Sequence, residues 1–78
     1  MNQFNEEGKK HGPWEEYRDN GSLWYKVNFV NGKIHGLWEV YWSNGNLEYK
    51  ANCVNGIFYG LSENYLFNGN LNEIKYFL

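Results

Sequence analysis

A chain of 78 residues and 9.3 kDa has room for one small domain, and it excludes a second domain or a large cofactor-binding fold. Its net charge of −2 disfavours direct binding to nucleic acid or to an anionic membrane surface, because both attract clusters of Lys and Arg. The aromatic content of 21% supplies large hydrophobic burial per residue, which suits a thin fold.

Features of targeting and redox chemistry point to the cytoplasm. The first residues carry no apolar segment typical of a signal peptide, and no stretch approaches the ~20 apolar residues of a membrane-spanning helix. Cys53 is the single cysteine, which excludes an intrachain disulfide. Thirteen Asn against one Ala, one Arg and one Pro are typical of an AT-rich genome, such as that of a low-GC bacterium or its phage. We therefore expect a soluble, cytoplasmic protein.

All nine glycines recur at one constant spacing, and this repeat organises the chain. The three sets are Gly8, Gly32 and Gly56; Gly12, Gly36 and Gly60; and Gly21, Gly45 and Gly69. Tyr17, Tyr41 and Tyr65 follow the same spacing. The sequence predicts one repeat domain over residues 1–78, with units near 8–31, 32–55 and 56–78.

Asn-Gly steps separate the predicted strands, at residues 20–21, 31–32, 44–45, 55–56 and 68–69. Asn-Gly between alternating residues predicts a two-residue type I′ hairpin turn, because both residues tolerate a positive φ. The predicted strands are 13–18, 23–30, 37–42, 47–54, 61–67 and 70–77, with a short strand around Phe4. The predicted fold is all-β: a single elongated antiparallel meander of about six strands, built from three 24-residue hairpin repeats.

Two-residue turns also fix the predicted pairing of residues across each hairpin. The expected pairs are Glu15 with Lys26, Tyr17 with Trp24, Glu39 with Lys50, and Trp42 with Leu47. Opposite charges in both units favour this register. Glu63 is predicted to be unpaired, because Ile74 stands opposite it.

Alternation along the strands predicts two different faces. The apolar face is expected to carry Trp14, Leu23, Tyr25, Val27, Trp38, Val40, Trp42, Leu47, Tyr49, Ala51, Leu66 and Leu71. The mixed face, with charges and aromatic rings, is expected to carry Glu15, Tyr17, Trp24, Lys26, Glu39, Tyr41, Lys50, Glu63 and Tyr65. Since a single layer leaves tryptophans exposed, the sheet is expected to curl, fold over itself or pair with another copy.

The unit Gly-x-Trp-Glu-x-Tyr-x-x-Asn-Gly-x-Leu, followed by Asn-Gly-Lys-Ile-His-Gly, resembles the bacterial variant of the MORN repeat over residues 8–78. The resemblance implies an elongated antiparallel sheet and a role in protein–protein contact, membrane tethering or oligomerisation. Bacterial chains of this type are often labelled antitoxin-like. Tethering relatives rely on basic patches, and this sequence has none, so we expect no membrane partner.

Chemistry-bearing residues do not form a recognisable catalytic or metal site in the sequence. His11 and His35 lie two predicted strands apart, ~10 Å, with no third ligand in sight. Glu15 and Glu39 each face a lysine, which favours structural cross-strand pairing over acid–base catalysis. Cys53 lacks a histidine placed to activate it. We expect no enzyme activity, metal or cofactor.

The leading functional interpretation is a non-enzymatic protein-binding module that inhibits or neutralises its partner by steric occlusion. This describes an antitoxin-like protein, or a phage or mobile-element inhibitor of a host defence nuclease, whose acidic face covers a basic surface of the partner. The expected contacts are Glu15, Tyr17, Trp24, Glu39, Tyr41, Glu63 and Tyr65, although the same rings could simply pack over neighbouring strands. The alternative is a structural or scaffolding repeat that self-assembles through its edge strands, for example as a homodimer.

Overall fold

The computed structural model describes residues 2–77, which form eight strands and no helix. The strands are β1 (Gln3–Phe4), β2 (Lys10–Tyr17), β3 (Leu23–Val30), β4 (Lys33–Ile34), β5 (Gly36–Tyr41), β6 (Leu47–Val54), β7 (Ile57–Tyr65) and β8 (Leu71–Phe77). The short strand around Phe4 is confirmed as β1. Strand β4 was not predicted, and β2 and β7 begin three or four residues earlier than expected.

All strands belong to one open antiparallel sheet in meander order, which confirms the predicted fold class. The order is β1-β2-β3-β5-β6-β7-β8, and β4 pairs with β3 before the chain enters β5. The described residues span 41 × 36 × 11 Å. Because each strand pairs only with its neighbours in this order, and the smallest dimension is less than a third of either other one, the sheet is a single layer that does not fold over itself.

Two of the five Asn-Gly steps form the predicted two-residue turns. Asn31 and Gly32 have φ values of 50° and 83°, and the flanking residues Val30 and Lys33 are paired. The turn at residues 55–56 has the same geometry, with φ values of 52° and 82°. Positive φ at both central residues defines the type I′ turn, whose twist matches that of the flanking strands.

The other three steps, beginning with Asn20-Gly21, form a longer loop, which corrects the two-residue assignment there. The Gly21 amide donates to the Arg18 carbonyl oxygen, and the Arg18 amide donates to the Ser22 carbonyl oxygen, each over 2.8 Å. Gly21 has φ +89°, whereas Asn20 is not in the left-handed region. This geometry is a type I turn followed by a left-handed glycine, the three-residue hairpin loop.

The longer loop shifts the register at the end of each hairpin by one residue. Tyr17 pairs with Leu23, so the predicted Tyr17–Trp24 pair is wrong and Trp24 has no partner in this ladder. Trp24 is thus an extra residue in β3 that compensates for the shift, so the predicted register holds further along the hairpin, where Glu15 pairs with Lys26. The same pattern recurs in the second and third units, with Tyr41 opposite Leu47 and Tyr65 opposite Leu71. The predicted Trp42–Leu47 pair is therefore also wrong.

The small core lies on the apolar face. Trp14, Val27 and Phe29 are buried together, and the rings of Trp14 and Phe29 meet edge to face at 5.6 Å. Further along the sheet, the stacked ring of Phe58 lies 5.3 Å from that of Trp38. Large aromatic rings thus bury one another within a single layer, which is why a sheet without a second layer still has a core.

The leucines predicted for the apolar face are placed differently. Leu23, Leu47 and Leu71 stand opposite the three tyrosines of the mixed face, because the longer loops change their register. Leu66 and Leu71 are about half exposed, at 45% and 49%.

Candidate functional site

Charged side chains of alternating sign form one continuous row across the mixed face. The register pairs Glu15 with Lys26, Lys26 with Glu39, Glu39 with Lys50, and Lys50 with Glu63. Each of these residues occupies the middle of a different strand, from β2 to β7. Since directly paired residues share a face, the meander brings into one row side chains as distant in sequence as Glu15 and Glu63.

The close ion pairs in this row lie between hairpins. The Lys26 ammonium is 4.0 Å from the Glu39 carboxylate, and the Lys50 ammonium is 3.4 Å from the Glu63 carboxylate. The prediction that Glu63 is unpaired is therefore wrong. Because the lysine side chains remain 50% and 41% exposed, each pair contributes only about 0–1 kcal/mol to stability.

Glu15 differs from the other two glutamates of the row. Within residues 2–77, no lysine or arginine nitrogen lies within 4.0 Å of its carboxylate. Its backbone is held by Asn2, whose side-chain amide accepts from the Glu15 N–H at 2.7 Å and donates to the Glu15 carbonyl oxygen at 2.9 Å. The backbone of this acid is therefore fixed, while its carboxylate carries a charge that no close cation neutralises.

A tyrosine stands two residues after each glutamate, on the same strand and face. The Tyr17 hydroxyl donates to the Glu15 carboxylate, and the Tyr65 hydroxyl donates to the Glu63 carboxylate, both at 2.9 Å. The hydrogen bond to Glu15 raises the pKa of Tyr17, and the bond to Glu63 raises the pKa of Tyr65. Burial, followed by the Glu39 charge, raises the pKa of Tyr41. All three rings are therefore neutral at physiological pH, and two are anchored by carboxylates.

Trp24 is not part of this row. It has no partner in the β2–β3 ladder and lies beside the loop, where its ring meets that of Tyr25 edge to face at 5.3 Å. The Arg18 guanidinium lies 5.8 Å from the Trp24 ring and donates to the Tyr41 carbonyl oxygen at 2.8 Å. Trp42, which takes the place of Arg18 in the second unit, donates in the same way to the Tyr65 carbonyl oxygen at 3.1 Å. These bonds tie successive units together at the loop end of the sheet.

A shallow groove of about 290 Å³ lies on the mixed face near β2, β3 and β5. It is lined by Pro13, Glu15, Lys26, Val27, Asn28, Leu37 and Glu39. The register between β3 and its neighbours shifts by two residues here, because Phe29 pairs with Ile34 whereas Lys26 pairs with Glu39. Sequence reasoning did not identify Pro13, Asn28 or Leu37 as site residues. Each lies two residues from a member of the charged row, so strand alternation places them on the mixed face, whereas the groove itself depends on the register shift.

The remaining titratable and metal-binding side chains of the described residues do not assemble into a site. Among residues 2–77, no group of three His, Cys, Asp or Glu side chains is placed to hold a metal ion. Cys53 is 2% exposed, and burial raises the pKa of its thiol. In the same part of the chain, no helix is long and apolar enough to cross a membrane.

The pattern of paired strands, turns and recurring side chains agrees with one family. A family model described as the MORN repeat variant matches residues 10–31 and again residues 34–55, more than half of the chain. This chain belongs to the MORN repeat variant family. The first match covers β2 and β3, and the second runs from the end of β4 through β6, so each MORN match contains one hairpin with a longer loop.

Membership gives the general class of function. MORN repeats are non-enzymatic modules that generally bind proteins or membranes, and they typically mediate protein interaction. The third unit lies beyond the MORN matches, and there Ser62 and Ile74 replace the Trp and Lys of the earlier units. Neither the search of curated proteins nor the search of solved structures finds a match.

Of the seven residues predicted as contacts, six lie together in this arrangement. The three glutamates occupy the charged row, and Tyr17, Tyr41 and Tyr65 flank it on the same strands. Trp24, the seventh, lies at the loop end beside Arg18. Their role in binding stays a prediction, while their grouping on one face follows from the observed register.

Proposed function

We propose that this chain is a non-enzymatic, cytoplasmic protein-binding module that neutralises a partner protein by steric occlusion. The partner carries a basic surface, such as the nucleic-acid-binding groove of a toxin or a host defence nuclease. The chain then acts as an antitoxin-like protein or as a phage or mobile-element inhibitor. The observation that carries this proposal is the row of glutamates flanked by tyrosine rings on the mixed face.

Anchored aromatic rings favour binding at this face. Tyr17 is 56% exposed, yet its hydroxyl is held by Glu15, so the ring keeps its position before a partner arrives. Fixing a side chain in advance lowers the entropy cost of binding. Tyrosine is also enriched at the energetic centres of protein interfaces. The mixed face therefore offers contact area that is already ordered.

Charge gives the proposed interface its orientation. Glu15 has an uncompensated carboxylate at the wall of the groove, and Glu39 lines the same groove. An Arg or Lys of the partner placed there would meet both acids, and Pro13 and Leu37 would pack against its aliphatic stem. Complementary charge of this kind raises the rate of association and fixes the register of the complex.

Charge reversal on the mixed face tests the proposal. The immobilised chain is used to capture its partner from host lysate, and the purified partner is then titrated by calorimetry. Glu39→Lys with Glu63→Lys should weaken binding by about 10- to 100-fold, because two close charge pairs at the interface become repulsive. In the same assay, nucleic acid and the chain should compete for the partner.

A matched control separates local contact from net charge. Glu6→Lys with Glu7→Lys makes the same change in net charge, at two exposed residues of the turn before β2. This control should bind like the native chain. Two results would contradict occlusion by the mixed face. One is an equal loss of affinity in both double variants, and the other is a partner that binds the chain and nucleic acid at the same time.

A further inference from the structure

Strand β8 is an open sheet edge with an unusual surface. All of its residues from Leu71 to Tyr76 are exposed, and within residues 2–77 β7 is its one neighbour. On the mixed face, Leu61 pairs with Tyr76, and they are 56% and 67% exposed. Ile74, 50% exposed, stands where the earlier units have Lys26 and Lys50, so the charged row ends in an apolar side chain.

The opposite edge of the sheet is blunted. There β1 has only two residues, and the Asn2 side chain occupies both the N–H and the carbonyl oxygen of Glu15 on the outer side of β2. Short edge strands and covered edges prevent strand addition. Head-to-tail joining of β8 to the β1 edge of another copy is therefore disfavoured. Pairing of β8 with β8 makes a closed twofold dimer instead.

We propose that two copies of this chain pair antiparallel through β8, with Ile74 on the twofold axis. Glu73 then stands opposite Lys75 of the second copy, and Lys75 stands opposite its Glu73. Opposite charges directly across an antiparallel pair stabilise it, and like charges destabilise it. Registers centred on Glu73 or Lys75 would place like charges against each other, so charge complementarity selects the register centred on Ile74.

This register also covers the apolar end of the charged row. The two Ile74 side chains meet on the mixed face, and the sheet continues across the axis with the ladder hydrogen bonds of β8 satisfied. The inference is independent of the proposed inhibition of a partner, because it uses β8 and leaves the predicted contacts free.

Charge reversal at β8 tests the dimer in the full chain. Sedimentation velocity over a concentration series should show a dimer for the native chain. Glu73→Lys and Lys75→Glu should each raise the dimer dissociation constant at least about tenfold, since two attractive pairs become repulsive. A one-to-one mixture of these two variants should restore the dimer, because every cross-strand pair is again attractive. Circular dichroism confirms that each variant is folded.

A control elsewhere in the chain has matched geometry. Like Lys75 and Glu73, Lys9 and Glu7 are exposed and separated by two positions in the sequence. In both pairs, the ammonium lies 3.9 Å from the carboxylate. Lys9→Glu should leave the dimer unchanged. Recovery of the dimer in the mixture cannot arise from the ion pair between Glu73 and Lys75 of the same chain, because residues 73 and 75 of each variant chain carry like charges.

Disulfide formation gives a second test that does not depend on the charge variants. Ile74→Cys should form a cross-linked dimer, because the two β-carbons lie ~5 Å apart. Tyr76→Cys should not, since this register separates the two copies of residue 76 by about four residues, ~13 Å. A native chain that stays monomeric, a mixture that stays monomeric, or equal cross-linking at both positions would each overturn the proposal.

Discussion

Trp14 is the residue whose removal should destabilise the sheet most. Its side chain is 5% exposed, its ring meets those of Phe4 and Phe29 edge to face, and its indole N–H donates to the Glu16 carboxylate at 2.7 Å. Truncating a buried Trp to Ala costs about 3–5 kcal/mol. A domain of this size has a free energy of unfolding of roughly 4–12 kcal/mol, so Trp14→Ala should remove a large part of it.

Urea denaturation followed by far-UV circular dichroism measures this loss. Trp24→Ala is the matched control, because Trp24 is 46% exposed and lies outside the core. Its cost should be smaller, about 1–2 kcal/mol, because only about half of its ring is covered, by contacts such as that with Tyr25. Trp14→Phe should fall between the two, since it keeps a ring but loses the hydrogen bond to Glu16. Equal midpoints for Trp14→Ala and Trp24→Ala would refute the assignment of Trp14 to the core.

The remaining predictions concern a turn, a tyrosine and the thiol. Asn55→Ala should lower the free energy of unfolding by about 1 kcal/mol, because alanine must hold a left-handed φ, whereas Asn55→Gly should leave it nearly unchanged in the same urea assay. Because the pKa of Tyr17 is raised in the folded chain, the contribution of Tyr17 to stability is complete below pH 10 and falls as the pH rises through the folded pKa. Glu15→Gln should lower the pKa of Tyr17, measured by a tyrosinate absorbance titration. An unchanged titration would contradict the hydrogen bond between Tyr17 and Glu15. Cys53 should react with a thiol reagent at least about tenfold more slowly in the native chain than in urea, because burial both covers the thiol and raises its pKa, and equal rates would contradict its burial.

Much of the fold could be predicted because the regular spacing of the glycines and the turn residues constrain the strands directly. Glu15–Lys26 and Glu39–Lys50 pair as the sequence indicated. The type of turn was less accessible, since Asn-Gly occurs both at Asn31, in a type I′ turn, and at Asn20, in the longer loop. The predicted pairing of Glu15 with Lys26 is nevertheless correct, because Trp24 is an extra, unpaired residue that compensates for the longer loop within the same hairpin.

The candidate site was less predictable, because turn residues specify pairing only within a single hairpin. A row that runs across the sheet depends on contacts between hairpins, and those contacts include the 3.4 Å pair of Lys50 with Glu63. The groove beside Leu37 could not be predicted from alternation alone, since it depends on the two-residue shift between β3 and its neighbours. Short-range turn signals specify a hairpin, while packing between hairpins decides which charges meet.

Site-specific photo-crosslinking to the captured partner tests the central claim, binding by the mixed face, most directly. A benzophenone side chain replaces either Tyr17 of β2 or Phe4 of the neighbouring strand β1, which are 56% and 63% exposed. Tyr17 lies on the mixed face, whereas the Phe4 ring lies 5.4 Å from the Trp14 ring of the apolar face. We expect the partner to crosslink at position 17 and not at position 4. Crosslinking at position 4 alone would contradict binding by the mixed face.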